Sequence, residues 1–485
     1  MSGGHAFLEQ FGGPHADLLA KAFEGHEWRQ AVDEGLVEAA RRDMVTPPET
    51  EGVFDLPVRQ LLEINEPSTR KLMATGERDE ERLLATLGKW PEVWPTDLPV
   101  RLSFIGINTG YECDMRPRCL YCNQQPVEQR LGADDWARLV TEAIAPDGKG
   151  PYVYITGGEP LLMGEDLWGR DGLIRSVTLA GAACNLNTNA LSLTPGVALG
   201  LVTSGLGRVH ISLDTHRPET QDALQQRGGC WQQAIAGLHN LQIAKAVLGA
   251  KHPVIHLNCV LTRLNADDFP DFLRFVLGMK PRPNGGGSPD LDMHVIPVGG
   301  GGNRHLRLTA EGYERFFSET WAAADAVWQQ HQAERDVPIA ERRALHESVP
   351  FMSPYHRVEH RGGLTDWAVR AADGRPAALS LRERCYVAPT QAFVLPDGSQ
   401  YWCGGHTVSR PEVVGTTLSR SIAENIRCSV RQMAEVPSAS CQSCAGATQA
   451  INQIVEGRLR DTIRGWLNPS EGATDAQPRE EPPVE

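Results

Sequence analysis

Residues 102–124 read LSFIGINTGYECDMRPRCLYCNQ, and the stretch changes character halfway along. Its first part, Leu102–Ile107, is a short apolar run of the kind that forms a buried strand. Its second part spaces three cysteines as Cys113-x5-Cys119-x2-Cys122. A compact loop leaving a strand end can aim three thiolates at one face of a cubane cluster, whose soft irons prefer sulfur. With only three cysteines close by, one iron would keep an open position able to bind and activate a small molecule. Spacing alone also allows a structural zinc site or buried thiols. Zinc would need a fourth ligand, and the histidines that could supply it are distant in sequence.

Outward from this loop, further apolar runs at Tyr152–Thr156, Asn185–Thr188, Val209–Leu213, Ile255–Leu261 and Met293–Val298 are expected strands. They are separated by segments long enough for crossover helices, such as Ala133–Ala145 and Trp231–Leu241. Strands alternating with helices imply an α/β fold of parallel βαβ units. Six such units suit an incomplete, TIM-like (β/α)6 barrel, with ligands gathered at the carboxyl ends of the strands. Residues 1–98 form a helical region of unreadable role, with helical patterns over 16–42, 58–64 and 77–87. The segment WPEVWPTDLP, with Pro91, Pro95 and Pro99, reads as an extended linker before the core at 99–305. Thr309 N-caps a long helix in a helical linker over 306–380. A small cysteine-rich domain over 381–450, a terminal helix near 451–467 and a Pro- and Glu-rich tail reaching 485 complete the chain.

The chain has 485 residues, enough for more than one core, with 41% hydrophobic and 22% charged residues and a net charge of −14. This balance offers no basic footprint for nucleic acid and no attraction to an anionic membrane. No stretch approaches a membrane span, and the N-terminus lacks the features of a signal peptide, so a cytoplasmic location is expected. In a reducing compartment the eleven cysteines are better read as ligands or buried thiols than as disulfides. Cys184, Cys230 and Cys259, scattered through the core, are read as buried thiols.

Three more motifs follow the cysteine loop. YVYITGGEPLL (152–162) is a strand ending in Gly157-Gly158-Glu159, where glycines permit close backbone approach and a carboxylate can accept from an ammonium group. In isolation it is equally a strand-ending turn. RVHISLDTH (208–216) places Ser212 and Asp214 at the end of the fourth strand, and Arg227 follows in LQQRGG. Asn187 and Asn258, near strand ends, are weaker candidates for lining a pocket.

The cysteine loop, with Tyr121 before its last cysteine, then GGEP and then SLD, in this order and at βα spacing, resembles the radical S-adenosylmethionine (radical SAM) enzymes over roughly residues 100–300. The family's commonest spacing is Cys-x3-Cys-x2-Cys, and this chain carries two extra residues in the first gap. The resemblance implies a SAM-binding 4Fe-4S cluster on Cys113, Cys119 and Cys122, with Tyr121 beside it. It implies that Gly157, Gly158 and Glu159 hold the methionyl amine of S-adenosylmethionine, that Ser212 and Asp214 contact the ribose, and that Arg227 pairs with the methionyl carboxylate.

A second cysteine group comprises Cys385, Cys403, Cys428, Cys441 and Cys444. CYVAPTQAFVLPDGSQYWC (385–403) is an expected β-hairpin turning at Asp397-Gly398 that brings Cys385 and Cys403 together. Cys441-x2-Cys444 supplies a second pair, and four thiolates suit either a cluster or zinc. The pattern resembles the auxiliary-cluster extension of radical SAM enzymes, SPASM in its full form and twitch in its shorter form. Five cysteines favour the shorter form, a second auxiliary 4Fe-4S cluster on Cys385, Cys403, Cys441 and Cys444, with Cys428 either spare or standing in for one of the Cys441–Cys444 pair. The resemblance implies a flavodoxin- or ferredoxin-type electron donor and hydrogen abstraction from a substrate. A small molecule undergoing net oxidation is favoured over a peptide, since the helical N-terminus does not look like a leader-binding module. A zinc-stabilised binding protein without turnover is the reading from another class.

Overall fold

The computed structural model describes residues 24–33, 35–49, 54–144, 149–279, 291–298, 301–348, 385–404, 413–433 and 446–468. Among these, nine strands form one sheet: β1 (Phe104–Asn108), β2 (Tyr152–Thr156), β3 (Ala183–Thr188), β4 (Arg208–Ser212), β5 (Val254–Leu261), β6 (Leu291–Pro297), β7 (Gln391–Val394), β8 (Ser399–Tyr401) and β9 (Gly415–Thr416). Their order is β6-β5-β4-β3-β2-β1-β7-β8-β9. All six core strands lie within two residues of the sequence expectation, and each pairs in parallel with the next.

Helices 133–142, 173–180, 195–203, 230–248 and 269–278 link them in turn. Sequential strand order with crossovers of one hand places these helices on a single face. Side chains alternate accordingly. Ile105, Ile107, Val153, Ile155, Leu186, Val209, Ile211, Ile255, Leu257 and Val295 are buried in an apolar layer. The opposite, inner face carries Tyr154, Asn185, Asn187, Arg208, His210, His256, Asn258 and His294. A polar inner face is the mark of a binding cavity. The sheet does not close, since β6 and β9 are its two edges.

The C-terminal strands do not stand apart as a small domain. β7 pairs in parallel with β1 (Phe104↔Gln391), and β8 returns antiparallel to β7 (Phe393↔Tyr401). β1 would otherwise present an open edge of unpaired N–H and C=O groups, and β7 satisfies them. The hairpin turn is as expected, with Gly398 at φ 84.

The expected linker is not a free tether either. Trp90 and Trp94 are buried and stacked 6.0 Å apart, and the Trp94 indole donates to the Leu98 carbonyl at 2.8 Å. Helices 26–33 and 36–43 cover helix 230–248, which is buried on nearly every side; the Trp28 indole donates to Asn240 at 2.8 Å. A helix buried on nearly every side needs such a cover, and its polar side chains need partners within it. Helix 446–467 packs on helices 55–74 and 80–87, so both ends of the described chain share one continuous core with the sheet.

Candidate functional site

The cysteine loop leaves the carboxyl end of β1 and is fastened to the tail of β2 by backbone pairing. Thr109 N donates to Thr156 O, Gly158 N to Gly110 O and Glu159 N to Glu112 O, each at 2.8 Å. A Cβ on Gly158 would lie 1.9 Å from the Glu112 carbonyl oxygen, and one on Gly157 would lie 2.6 Å from that of Gly110. The two glycines are therefore required by the contact between this segment and the cysteine loop itself. A turn from Cys119 to Cys122 is closed by Cys122 N donating to Cys119 O at 3.0 Å.

Tyr121 ties the far side of the loop down. Its hydroxyl donates to Asp214 Oδ2 at 2.7 Å, and its carbonyl accepts from Asn303 at 3.0 Å. Asp214 is buried and also accepts from Val260 N at 2.8 Å and Gln221 Nε2 at 3.3 Å. Its carboxylate is thus engaged with the protein's own donors, and it acts on the loop through Tyr121. Burial pushes its pKa up to about 6.

Glu159 is 3% exposed. Its Oε1 accepts from Thr188 Oγ1 at 2.7 Å and Leu161 N at 3.0 Å, and its Oε2 accepts from Asn189 N at 2.7 Å. Burial raises its pKa to about 7 despite these donors. Asn189, which sequence reading passed over, joins the end of β3 to the loop: its side chain donates to Asp114 at 2.6 Å. Arg227 donates to the Asp114 carbonyl at 3.1 Å, leaving further guanidinium donors. Ser212, half-buried, ends β4 in register with Asn258.

The three loop cysteines are unpaired thiols, Cys113 and Cys119 half-buried and Cys122 exposed. Burial, then Asp214, then the other two thiols push Cys119 up to about 12; burial also raises Cys113. A strongly cationic group bound here would deprotonate its thiol ligands outright, and sulfur donors suit soft iron. The donor set therefore fits a polynuclear iron cluster. Among the described residues, the group close enough to share a single metal ion is a different one, His210, His256 and His294. Sequence reading missed it, although Val-His-Ile, Ile-His-Leu and Met-His-Val recur on three successive strands. Burial pushes His210 down to about 3 and His294 to about 4.

Asn187 and Asn258 do face one another on the inner side, Asn258 Nδ2 donating to Asn187 Oδ1 at 2.9 Å. Cys184, Cys230 and Cys259 are buried, as read from the sequence. In the second cysteine group, Cys403 lies two residues beyond the end of β8, while Cys385 meets Asn452 of the terminal helix at 3.8 Å. Cys428 is exposed on helix 422–433. Cys441 and Cys444 lie outside the described residues.

Residues 107–276 match the Radical SAM superfamily, so this part of the chain is a radical SAM domain. Among curated proteins, the GTP 3′,8-cyclase of Heliobacterium modesticaldum is 33% identical over 187 residues, 36% of this chain and 52% of that protein. The AdoMet-dependent heme synthase of Nitratidesulfovibrio vulgaris is 26% identical over 160 residues, 32% of this chain and 40% of that protein. The chain spans about half the length of the first of these and less of the second. Among solved structures, Streptococcus suis SuiB bound to S-adenosylmethionine is 14% identical, with a TM-score of 0.46 over 72% of both chains. Among the described residues no helix is long and apolar enough to cross a membrane.

Proposed function

We propose that this protein binds S-adenosylmethionine at a 4Fe-4S cluster on Cys113, Cys119 and Cys122 and cleaves it reductively. The resulting radical abstracts hydrogen from a substrate, with net oxidation of a small molecule as the outcome. The observation that carries the reading is the backbone lock between the cysteine loop and Gly158-Glu159, within a domain that matches the superfamily. The lock sets a buried carboxylate against the cysteine loop at the strand ends, where such sheets hold ligands. When bound, the cluster supplies the electron that splits the sulfonium into methionine and a 5′-deoxyadenosyl radical.

The chain's own residues orient and exclude. Glu159 accepts from the methionyl ammonium, with Gly157 and Gly158 holding the loop against it. Arg227 offers its remaining donors to the methionyl carboxylate, Ser212 faces the ribose, and Asp214 positions Tyr121. The matched relatives named above differ in product, a GTP cyclase and a haem synthase, and the alignment covers only part of each. That pattern is consistent with a shared domain that serves SAM chemistry while other parts choose the substrate. Cys385, Cys403, Cys441 and Cys444 are proposed to hold an auxiliary 4Fe-4S cluster, which when bound would supply an acceptor for an electron from the substrate. A flavodoxin- or ferredoxin-type protein would supply the first electron.

The test is an iron count joined to a product assay. Anaerobically reconstituted protein should carry about eight irons per chain, two cubane clusters, and release 5′-deoxyadenosine with S-adenosylmethionine and reductant. Replacing Cys113, Cys119 and Cys122 by Ala should remove about four irons and abolish 5′-deoxyadenosine. Replacing Cys441 and Cys444 should remove the other four or so and leave that cleavage in place. Undiminished 5′-deoxyadenosine from the first variant would end the assignment.

A further inference from the structure

We propose that His210, His256 and His294 form a mononuclear site for a divalent transition metal of the zinc class, on the inner face of the sheet and drawing no ligand from the cysteine loop. Each residue contributes one imidazole from the middle of β4, β5 or β6, and one ligand nitrogen from each lies within 4.8 Å of the others. The ring centroids form a nearly equilateral triangle with sides of 5.0, 5.1 and 5.5 Å. With zinc–nitrogen bonds of about 2.0–2.1 Å, three imidazoles at tetrahedral angles place their ring centroids about 5.2 Å apart. The ring triangle matches that spacing, and the ligand nitrogens, which lie within 4.8 Å of one another, would close to about 3.4 Å around the ion.

Strand spacing alone explains one side of it. His210 and His256 are direct register partners, and neighbouring strands lie about 4.8 Å apart. It does not explain the third ring. His294 is in register with Asn258, one pleat further along, and its ring nonetheless closes the triangle.

A second observation concerns the ring's orientation. Asn258 donates its amide to Asn187 Oδ1 at 2.9 Å, which turns Asn258 Oδ1 toward His210 Nδ1 at 3.1 Å. Facing an acceptor, Nδ1 carries the proton, and Nε2 keeps the lone pair. An outer hydrogen bond that fixes the tautomer of a metal-binding histidine is the usual second layer of such sites. The Asn187–Asn258 pair thus gains a purpose that strand packing does not give it.

The donor set selects the ion. Three neutral imidazoles without a carboxylate or thiolate suit zinc, iron(II), cobalt or nickel, and they poorly match magnesium or calcium. A fourth position stays open, as in catalytic sites of this type. Arg208 lies one pleat away on the same face of β4, and a cationic side chain there favours an anion, hydroxide or an oxyanion of the substrate, as the fourth ligand. β6 is an edge strand and His294 is only half-buried, which gives the ion access.

The test uses the full chain, purified anaerobically from zinc-supplemented medium and passed through a mild chelator wash. Metal analysis should find about one zinc per chain, and X-ray absorption at the zinc edge should show nitrogen or oxygen near 2.0 Å without sulfur near 2.3 Å. His294→Gln, at the accessible edge, should lose the zinc while keeping the wild-type circular dichroism and iron content; His256→Gln is the second variant. The Cys113, Cys119 and Cys122 to Ala variant should retain the zinc, which separates this site from the iron–sulfur reading. Wild-type protein with less than about a tenth of a zinc per chain, a sulfur-containing zinc shell, or zinc retained in both folded histidine variants would each overturn the proposal.

Discussion

The Glu159 carboxylate accepts three hydrogen bonds from the protein, and an ionised carboxylate has about four acceptor sites, so one remains for an ammonium group. Alanine at this position would also orphan the amides of Leu161 and Asn189 in a buried place, and its effect would mix two losses. Glu159→Gln keeps the volume and one of the two acceptor oxygens, leaving one backbone amide unpaired where Ala leaves two, and removes the charge. A hydrogen bond to a charged group is worth about 1.5–3 kcal/mol, so the dissociation constant for S-adenosylmethionine should rise about 10- to 100-fold in Glu159→Gln, as read by calorimetry. The pH dependence follows from the same burial. Without cofactor, the folded protein holds Glu159 protonated up to about 7, against an ordinary 4.5. Between those values the folded chain binds a proton that the unfolded chain has released, so stability falls as pH rises through the window. A bound ammonium favours the carboxylate. Affinity should therefore climb with pH and level off above about 7 in the wild type, and stay flat in Glu159→Gln.

At the scale of elements, the site is a strand-end junction, and its strength lies in backbone contact between β1 and β2 tails. Gly158→Ala puts a methyl group 1.9 Å from the Glu112 carbonyl oxygen, which cannot be relieved by rotating a side chain. The cysteine loop must detach, and iron at the proposed first site should fall by about four per chain, with iron at the proposed auxiliary site unaffected. Full iron content in Gly158→Ala would show that the lock is dispensable. The six core strands were legible because each is a short apolar run between breakers, and the Asp397-Gly398 turn because only a residue tolerant of positive φ fits there. The need for Gly157-Gly158 was legible and its reason was not: sequence suggested close approach to a ligand, and the structure shows close approach to Gly110 and Glu112. The pairing of β7 with β1 was illegible because it joins residues nearly 290 positions apart, and nothing local encodes such a partner. The three histidines sat in plain view in repeated apolar–His–apolar triplets. Only strand order and register, which sequence periodicity does not set, bring them to one point.

Across the whole molecule, the first and last described helices hold the sheet from outside. Helix 446–467 buries Val455, Leu459 and Ile463, four residues apart on one face, against helices 55–74 and 80–87. Beside this seam, Arg460 bonds Glu80, Glu81 and Glu456, and Arg464 bonds Glu80. The seam and the ion pairs make different predictions. Ion pairs that keep contact with solvent, as the half-buried Arg460 pairs do, contribute about 0–1 kcal/mol each, whereas Leu→Ala at a fully buried position costs about 2–5 kcal/mol through lost transfer energy and the cavity left behind. Leu459→Ala should therefore lower the denaturant midpoint several times more than Arg460→Ala. Gly457, on the same helix with nothing within 4 Å of a built Cβ, gives the opposite sign. Gly457→Ala restricts the unfolded chain and should raise stability by up to about 1 kcal/mol. Chemical denaturation followed by far-ultraviolet circular dichroism would read all three. If Arg460→Ala proved as costly as Leu459→Ala, the charged cluster and not the apolar seam would be what fastens the two ends of the chain around the site.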